Sequence, residues 1–132
     1  MILDTHSLLW MDRDDPSLGP EARRQINIGW RAGEVAVSAI SFWEVAMLAE
    51  RGRVVLPVPV ARWRDDWLRA GLIEIPLDGR IALLASQLES FHRDPADRFI
   101  VATAIDRRTS LVTADGGILD WTGKLARIDA RR

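Results

Sequence analysis

Apolar residues fall into two kinds of run that alternate along the chain. Short, nearly unbroken runs at Ile2-Leu3, Val35-Ala36-Val37, Leu72 to Ile75 and Ser110 to Thr113 suit strands buried on both faces. Between them apolar residues recur at helical spacing, as Ala22, Ile26 and Trp30, then Val45, Ala46, Leu48 and Ala49, then Val60, Trp63 and Trp67, then Ile81, Leu84, Ala85 and Leu88. Leu8, Leu9 and Trp10 form a further helix-like segment just after Asp4-Thr5. Ser41 and Glu44 stand at capping-box spacing and predict a helix start, and Asp78 predicts another. Asp12 to Pro20 and Gly52 to Pro59 read as loops, Asp115-Gly116-Gly117 as a turn, and Arg127-Ile128-Asp129 as a short edge strand.

The stretch from Asp94 to Ile105 differs from the others. Asp94 predicts an N-cap, Pro95 suits the first turn because its missing N–H costs nothing there, and Arg107 and Arg108 fall near the negative end. Phe99, Ile100, Val101, Ala102, Ala104 and Ile105 leave almost no polar face, which predicts a helix enclosed by protein. Asp97 and Arg98 sit in its first turn, at the mouth of a packed core. Strands alternating with helices predict an α/β fold over residues 1–132. It has three layers, a mostly parallel central sheet of four to five strands, and helices on both faces.

Composition narrows the chemistry. The 132 residues, 48% of them hydrophobic, suit one domain with a substantial core. There are no cysteines and two histidines, so thiolate and His-rich metal sites are excluded. The absence of thiols fits a reducing cytoplasm, and no apolar run has the length of a membrane span. Net charge is −1, so no general basic field announces a nucleic-acid binder. Lys124 is the one lysine among 18 cations, and arginine forks suit phosphate and carboxylate recognition.

Ligands of parallel α/β sheets bind beyond the carboxyl ends of the strands. Asp4 ends the first strand, Glu44 opens the helix after the second, Asp97 opens the helix before the fourth, and Asp115 follows the fourth. Brought together, these four carboxylates make a hard, oxygen-only donor set that selects Mg²⁺ or Mn²⁺ over zinc. Each acid also has a structural role open to it. Glu44 can complete a capping box, Asp97 can favour a helix dipole, and Asp115 can form an Asx turn. Asp4, after two apolar residues, needs a partner. His6 reads as a local hydrogen-bonding residue and His92 as a solvated one. Trp10, Trp43, Trp63 and Trp67 lie at spacings that suit burial or an interface.

The order Asp4-Thr5-His6, Ser41-Phe-Trp-Glu44, Asp94-Pro-Ala-Asp97-Arg98 and Thr113-Ala-Asp115 resembles the PIN-domain ribonucleases, specifically the VapC-type toxins of prokaryotic toxin–antitoxin pairs. The resemblance spans almost the whole chain. It implies that Asp4, Glu44, Asp97 and Asp115 are an acidic quartet holding Mg²⁺ (or Mn²⁺), with Asp4 and Asp97 as ligands and Thr5 and Thr113 as supporting hydroxyls. It further implies endoribonuclease activity at single-stranded sites of tRNA or rRNA, a homodimer, and a cognate antitoxin. The alternatives are a Mg²⁺-dependent phosphohydrolase of another α/β class and an inactive binding module of the same fold. A haloacid dehalogenase-type phosphatase would want a second acid where His6 stands, and a lysine that Lys124 is poorly placed to be. Because an acidic pocket repels a phosphate backbone, Arg51, Arg53 and Arg93 are the candidate rim contacts to substrate.

Overall fold

The computed structural model describes residues 1–91 and 94–132, so the expectations for His92 and Arg93 lie outside the described residues. The chain runs β1 (Ile2–Leu3), α1 (Thr5–Asp12), α2 (Pro20–Arg31), β2 (Ala36–Ser38), α3 (Ile40–Glu50), α4 (Val60–Ala70), β3 (Ile73–Ile75), α5 (Gly79–Ser86), α6 (Pro95–Arg107), β4 (Leu111–Thr113), α7 (Gly116–Leu119) and β5 (Arg127–Asp129). All pairings are parallel, in the order β3-β2-β1-β4-β5. β1 therefore lies at the middle of the sheet. Ile2 pairs with Ala36 on one side and Leu111 on the other, and Leu3 with Val37 and Val112.

Side chains alternate across a strand, so these neighbours divide between two cores. Leu3, Val37 and Val112 pack with Leu8, Leu9, Ile26, Phe42, Val45 and Trp63 of α1 to α4. Ile2, Ala36 and Leu111 pack with Ile81, Ala85, Ile100, Val101 and Ile118 of α5 to α7. Each large aliphatic side chain so buried contributes about 2 kcal/mol. α6 is enclosed as its sequence predicts, with Ile100 to Ala104 buried without a break. Asp94 caps it, accepting from the Ala96 N–H at 3.1 Å.

Two expectations are corrected. α3 starts at Ile40, with Ala39 as its cap residue and no side-chain cap, so Ser41 and Glu44 are not a capping box. An i, i+3 spacing also puts two side chains on one helix face, and here both point at Thr5. Asp115 does not simply turn the chain either: it caps the one-turn helix α7, accepting from the Ile118 N–H at 3.0 Å. The helix survives its Gly-Gly start because Ile118 is anchored in the core.

The tryptophans also sort themselves. Trp63 is buried, and its indole N–H and that of Trp67 both donate to Asp12 Oδ1, at 3.0 and 2.9 Å. That stripe is used within the chain, whereas Trp43 is 53% exposed. Gly71 ends α4 at φ +124°, a conformation that a side chain would strain. Among the described residues, no helix is long and apolar enough to cross a membrane.

Candidate active site

The carboxyl ends of β1 and β4 open into a cleft of about 260 Å³ lined by Asp4, Glu44, Asp97 and Asp115, together with Thr5, His6, Trp10, Asp94, Ala114 and Arg131. The four acids singled out in the sequence thus share one edge of the sheet. Asp4 arrives there because its own N–H continues the ladder onto the Val112 carbonyl at 3.0 Å before the chain turns into α1. As the N-cap of α1 it accepts from the Ser7 N–H at 2.8 Å through Oδ1.

Two threonines fix the acids. The buried Thr113 hydroxyl donates to Asp4 Oδ2 at 2.5 Å and accepts from the Asp115 N–H at 3.0 Å, so one side chain ties two acidic positions together. Thr5 Oγ1 lies 2.5 Å from Glu44 Oε1 and 3.0 Å from the buried Ser41 hydroxyl. Thr5 has one proton, and an ionised carboxylate only accepts, so that proton goes to Glu44 and Ser41 donates in turn to Thr5. Sequence reasoning missed this part played by Ser41.

Burial and mutual repulsion then set the protonation states. Asp97 is pushed up to about 8, first by burial and then by the charges of Asp94, Asp115, Glu44 and Asp4. Burial raises Asp4, although the Thr113 hydroxyl and Ser7 pull against it. Glu44 is raised by burial as well, against the opposing hydrogen bond from Thr5. Asp94, expected only to cap α6, adds a fifth carboxylate to the cleft.

Such a donor set is all oxygen and carries excess negative charge, which suits a hard divalent cation. Among the described residues, however, no three acidic or histidine side chains gather closely enough to form a ready-made metal group. The residues fit the ion in chemistry while lining the cleft without converging on one point.

Three other features border this site. His6, expected to serve local hydrogen bonding, lines the cleft. Arg51 and Arg53 line an adjoining groove of about 280 Å³, which shares Glu44 and Asp94 with the cleft and has Trp43 on its wall. Trp10 and Arg131 were not foreseen as cleft residues. A signal for Arg131 existed, because a parallel β5 ending at Asp129 delivers the residues that follow it to this same edge.

The sequence pattern of the family described as PIN domain matches residues 1–123. Ribonuclease VapC22 of Mycobacterium tuberculosis is 38% identical over 116 residues, which are 87% of this chain and 86% of that protein. VapBC2 from Rickettsia felis, solved with a DNA fragment from its promoter, superposes with a TM-score of 0.72 at 14% identity, over 96% of each chain. A toxin–antitoxin complex from Klebsiella pneumoniae gives a TM-score of 0.65 at 20% identity, over 98% of this chain and 96% of that one. At those identities the two structures speak for the fold alone.

Proposed function

The chain belongs to the PIN-domain family, as a VapC-type member, and from that premise we propose that it is a Mg²⁺-dependent endoribonuclease. In this reading it is the toxin of a type II toxin–antitoxin pair, a single PIN-like domain that cuts structured RNA such as tRNA or rRNA at single-stranded sites in the cytoplasm. The observation that carries the reading is the sharing of one cleft by Asp4, Glu44, Asp97 and Asp115 at the carboxyl edge of the sheet.

Asp4 and Asp97 would hold Mg²⁺ or Mn²⁺, with Glu44 and Asp115 completing the acidic wall. A divalent ion bound there would supply the positive charge that lowers the pKa of water and offsets charge on the attacked phosphate. The protein's own groups prepare for that charge. Thr113 orients Asp4, so its carboxylate does not have to be ordered at the moment of binding. Asp97 keeps its proton through neutral pH in the absence of a cation and must release it on binding. Glu44 Oε1 is fixed by Thr5, which leaves Oε2 as the atom that would take a proton from attacking water.

The partners follow the same premise. A cognate antitoxin is the expected protein partner, and the isolated chain is expected to be a homodimer, a state that light scattering reads directly. The half-exposed Trp43 is an aromatic available to such contacts.

Asp97→Asn separates this reading from an inactive module of the same fold. Incubated with total RNA, the wild type should degrade it only when Mg²⁺ or Mn²⁺ is present. The variant should lose on the order of a hundredfold or more of that rate, since even residues that merely orient metal ligands are worth about 10- to 100-fold. Its melting temperature should not fall. Cleavage at the wild-type rate by the variant, or cleavage in excess chelator by the wild type, would remove the metal-dependent assignment.

A further inference from the structure

A guanidinium stands on the wall of the acidic cleft, and several independent contacts place it there. Among the described residues that line the cleft, Arg131 is the only arginine or lysine. β5 pairs with β4 so that Asp129 lies opposite Thr113, and the ladder continues past the strand with the Ala130 N–H on the Thr113 carbonyl at 2.8 Å. The backbone beyond is fastened to the start of α2. The Gly19 N–H donates to the Ala130 carbonyl and the Glu21 N–H to the Arg132 carbonyl, both at 2.8 Å. A Cβ at Gly19 would collide with the backbone of Arg131 and Arg132, so this close approach requires glycine.

The side chain is held as firmly as the backbone. Its NH1 donates to the Ala114 carbonyl at 2.6 Å, and its guanidinium carbon lies 5.8 Å from the centroid of the Trp10 ring. A cation placed to neutralise the acids would pair with one of them. This one is braced on a carbonyl and an aromatic face instead, and among the described residues it forms no ion pair with a carboxylate. The rest of its planar fork borders a cleft whose other charged residues, among those described, are acidic.

We propose that Arg131, supported by Trp10, is a phosphate subsite that grips the backbone of single-stranded RNA beside the position where the acidic cluster acts. The inference rests on the nuclease reading for the identity of the polyanion. A phosphodiester offers two oxygens to a fork, and charge-assisted bidentate contacts combine strength with fixed geometry. Flanking contact at this point also answers the repulsion between an acidic cleft and its substrate. The carbonyl and indole hold the guanidinium in position before the RNA arrives, so little side-chain freedom is lost on binding.

The test compares Arg131→Gln and Arg131→Lys with the wild type. Binding of a fluorescent, phosphorothioate-linked single-stranded RNA oligomer in Mg²⁺ is followed by anisotropy over a salt series. Loss of one phosphate contact should weaken binding by about tenfold and reduce the slope of log K against log salt by about 0.7. Arg131→Lys should recover the slope, because the charge returns, and only part of the affinity, because the fork does not. Mg²⁺ affinity by calorimetry should match the wild type in Arg131→Lys and should not fall in Arg131→Gln, which removes a positive charge beside the acids.

A merely structural Arg131 predicts a lowered melting temperature with an unchanged salt slope, and that result overturns the proposal, as does wild-type protein that does not bind the oligomer. Cleavage is scored separately. Arg131-dependent binding without cleavage would leave the phosphate subsite standing and remove the nuclease reading.

Discussion

Asp97 is held near pH 8 by burial and by four neighbouring acids, whereas the same side chain in an unfolded chain titrates at about 3.8. Below about pH 4 both states carry the proton and its stabilisation of the native state is complete. Between about pH 4 and 8 the unfolded chain has released a proton that the native one keeps, so metal-free stability falls as pH rises, and above 8 the contribution is gone. Solvent reaches part of this carboxyl, so the loss between pH 5 and pH 8 should be about 2 kcal/mol rather than the full value of the shift. Melting in excess chelator across that range should show it. Asp97→Asn cannot ionise and should flatten the profile, leaving the contributions of like sign from Asp4 and Glu44. Equal pH slopes in the variant and the wild type would show that the repulsion acts elsewhere. At this scale the gathering of Asp4, Asp97 and Asp115 at one edge was legible because each sits at an element terminus, whereas Glu44, in the second turn of α3, was placed there through a capping box that does not form. For Arg131 the edge that β5 feeds was readable but its role was not, because arginines with quite different work look alike in a sequence. Arg64 forms a two-pronged pair with Glu74, Arg98 donates to the carbonyls of Ala85, Leu88 and Phe91, and Arg127 donates to those of Ile118, Leu125, Trp121 and Gly123.

The start of α6 joins local structure to the site, because Asp94 both caps the helix and raises Asp97. Two substitutions separate these roles. Asp94→Asn keeps a capping oxygen and removes the charge, whereas Asp94→Ala removes both. At pH 5, where repulsion on a protonated Asp97 is muted, the alanine variant should be less stable than the asparagine variant by about 1 kcal/mol, the usual worth of an N-cap. Both should lower the Asp97 titration equally, as read by carboxyl NMR. Coincident melting of the two variants would mean that the Ala96 N–H finds another acceptor. α6 was readable from sequence at both ends because cap, proline and terminal arginines agree with one another. The opening of α3 was not, because the spacing of Ser41 and Glu44 fits equally a capping box and a shared helix face. Only tertiary contact with Thr5 decides between them. The Gly-Gly after Asp115 read as a turn because the anchoring of Ile118 in the core is a non-local fact.

Across the whole molecule a net charge of −1 conceals a local separation of sign. The acids collect at the carboxyl edge of β1 and β4, while cations flank them on two sides. Arg131 follows β5, and Arg51 and Arg53 follow α3, which leaves from β2 on the other side of β1. A single strand crossing the cleft would thus leave the repulsive centre toward a cation in either direction. Arg51 and Arg53 are exposed and line the groove that shares Glu44 and Asp94 with the cleft, with Pro95 and Ala96 at the start of α6 on its wall. If the RNA follows that groove, replacing both with glutamine should weaken binding to every sequence alike, because phosphate contacts carry no base information. The salt slope should flatten by up to about 1.4, at about 0.7 for each lost contact to a single strand. The cleaved bond should stay the same, since the acids that select it are untouched. The check is a salt titration of RNA binding alongside sequencing of the cut ends. An unchanged slope would show that the strand takes another path out of the cleft, and a shifted cleavage position would show that these arginines read the shape or bases of the substrate.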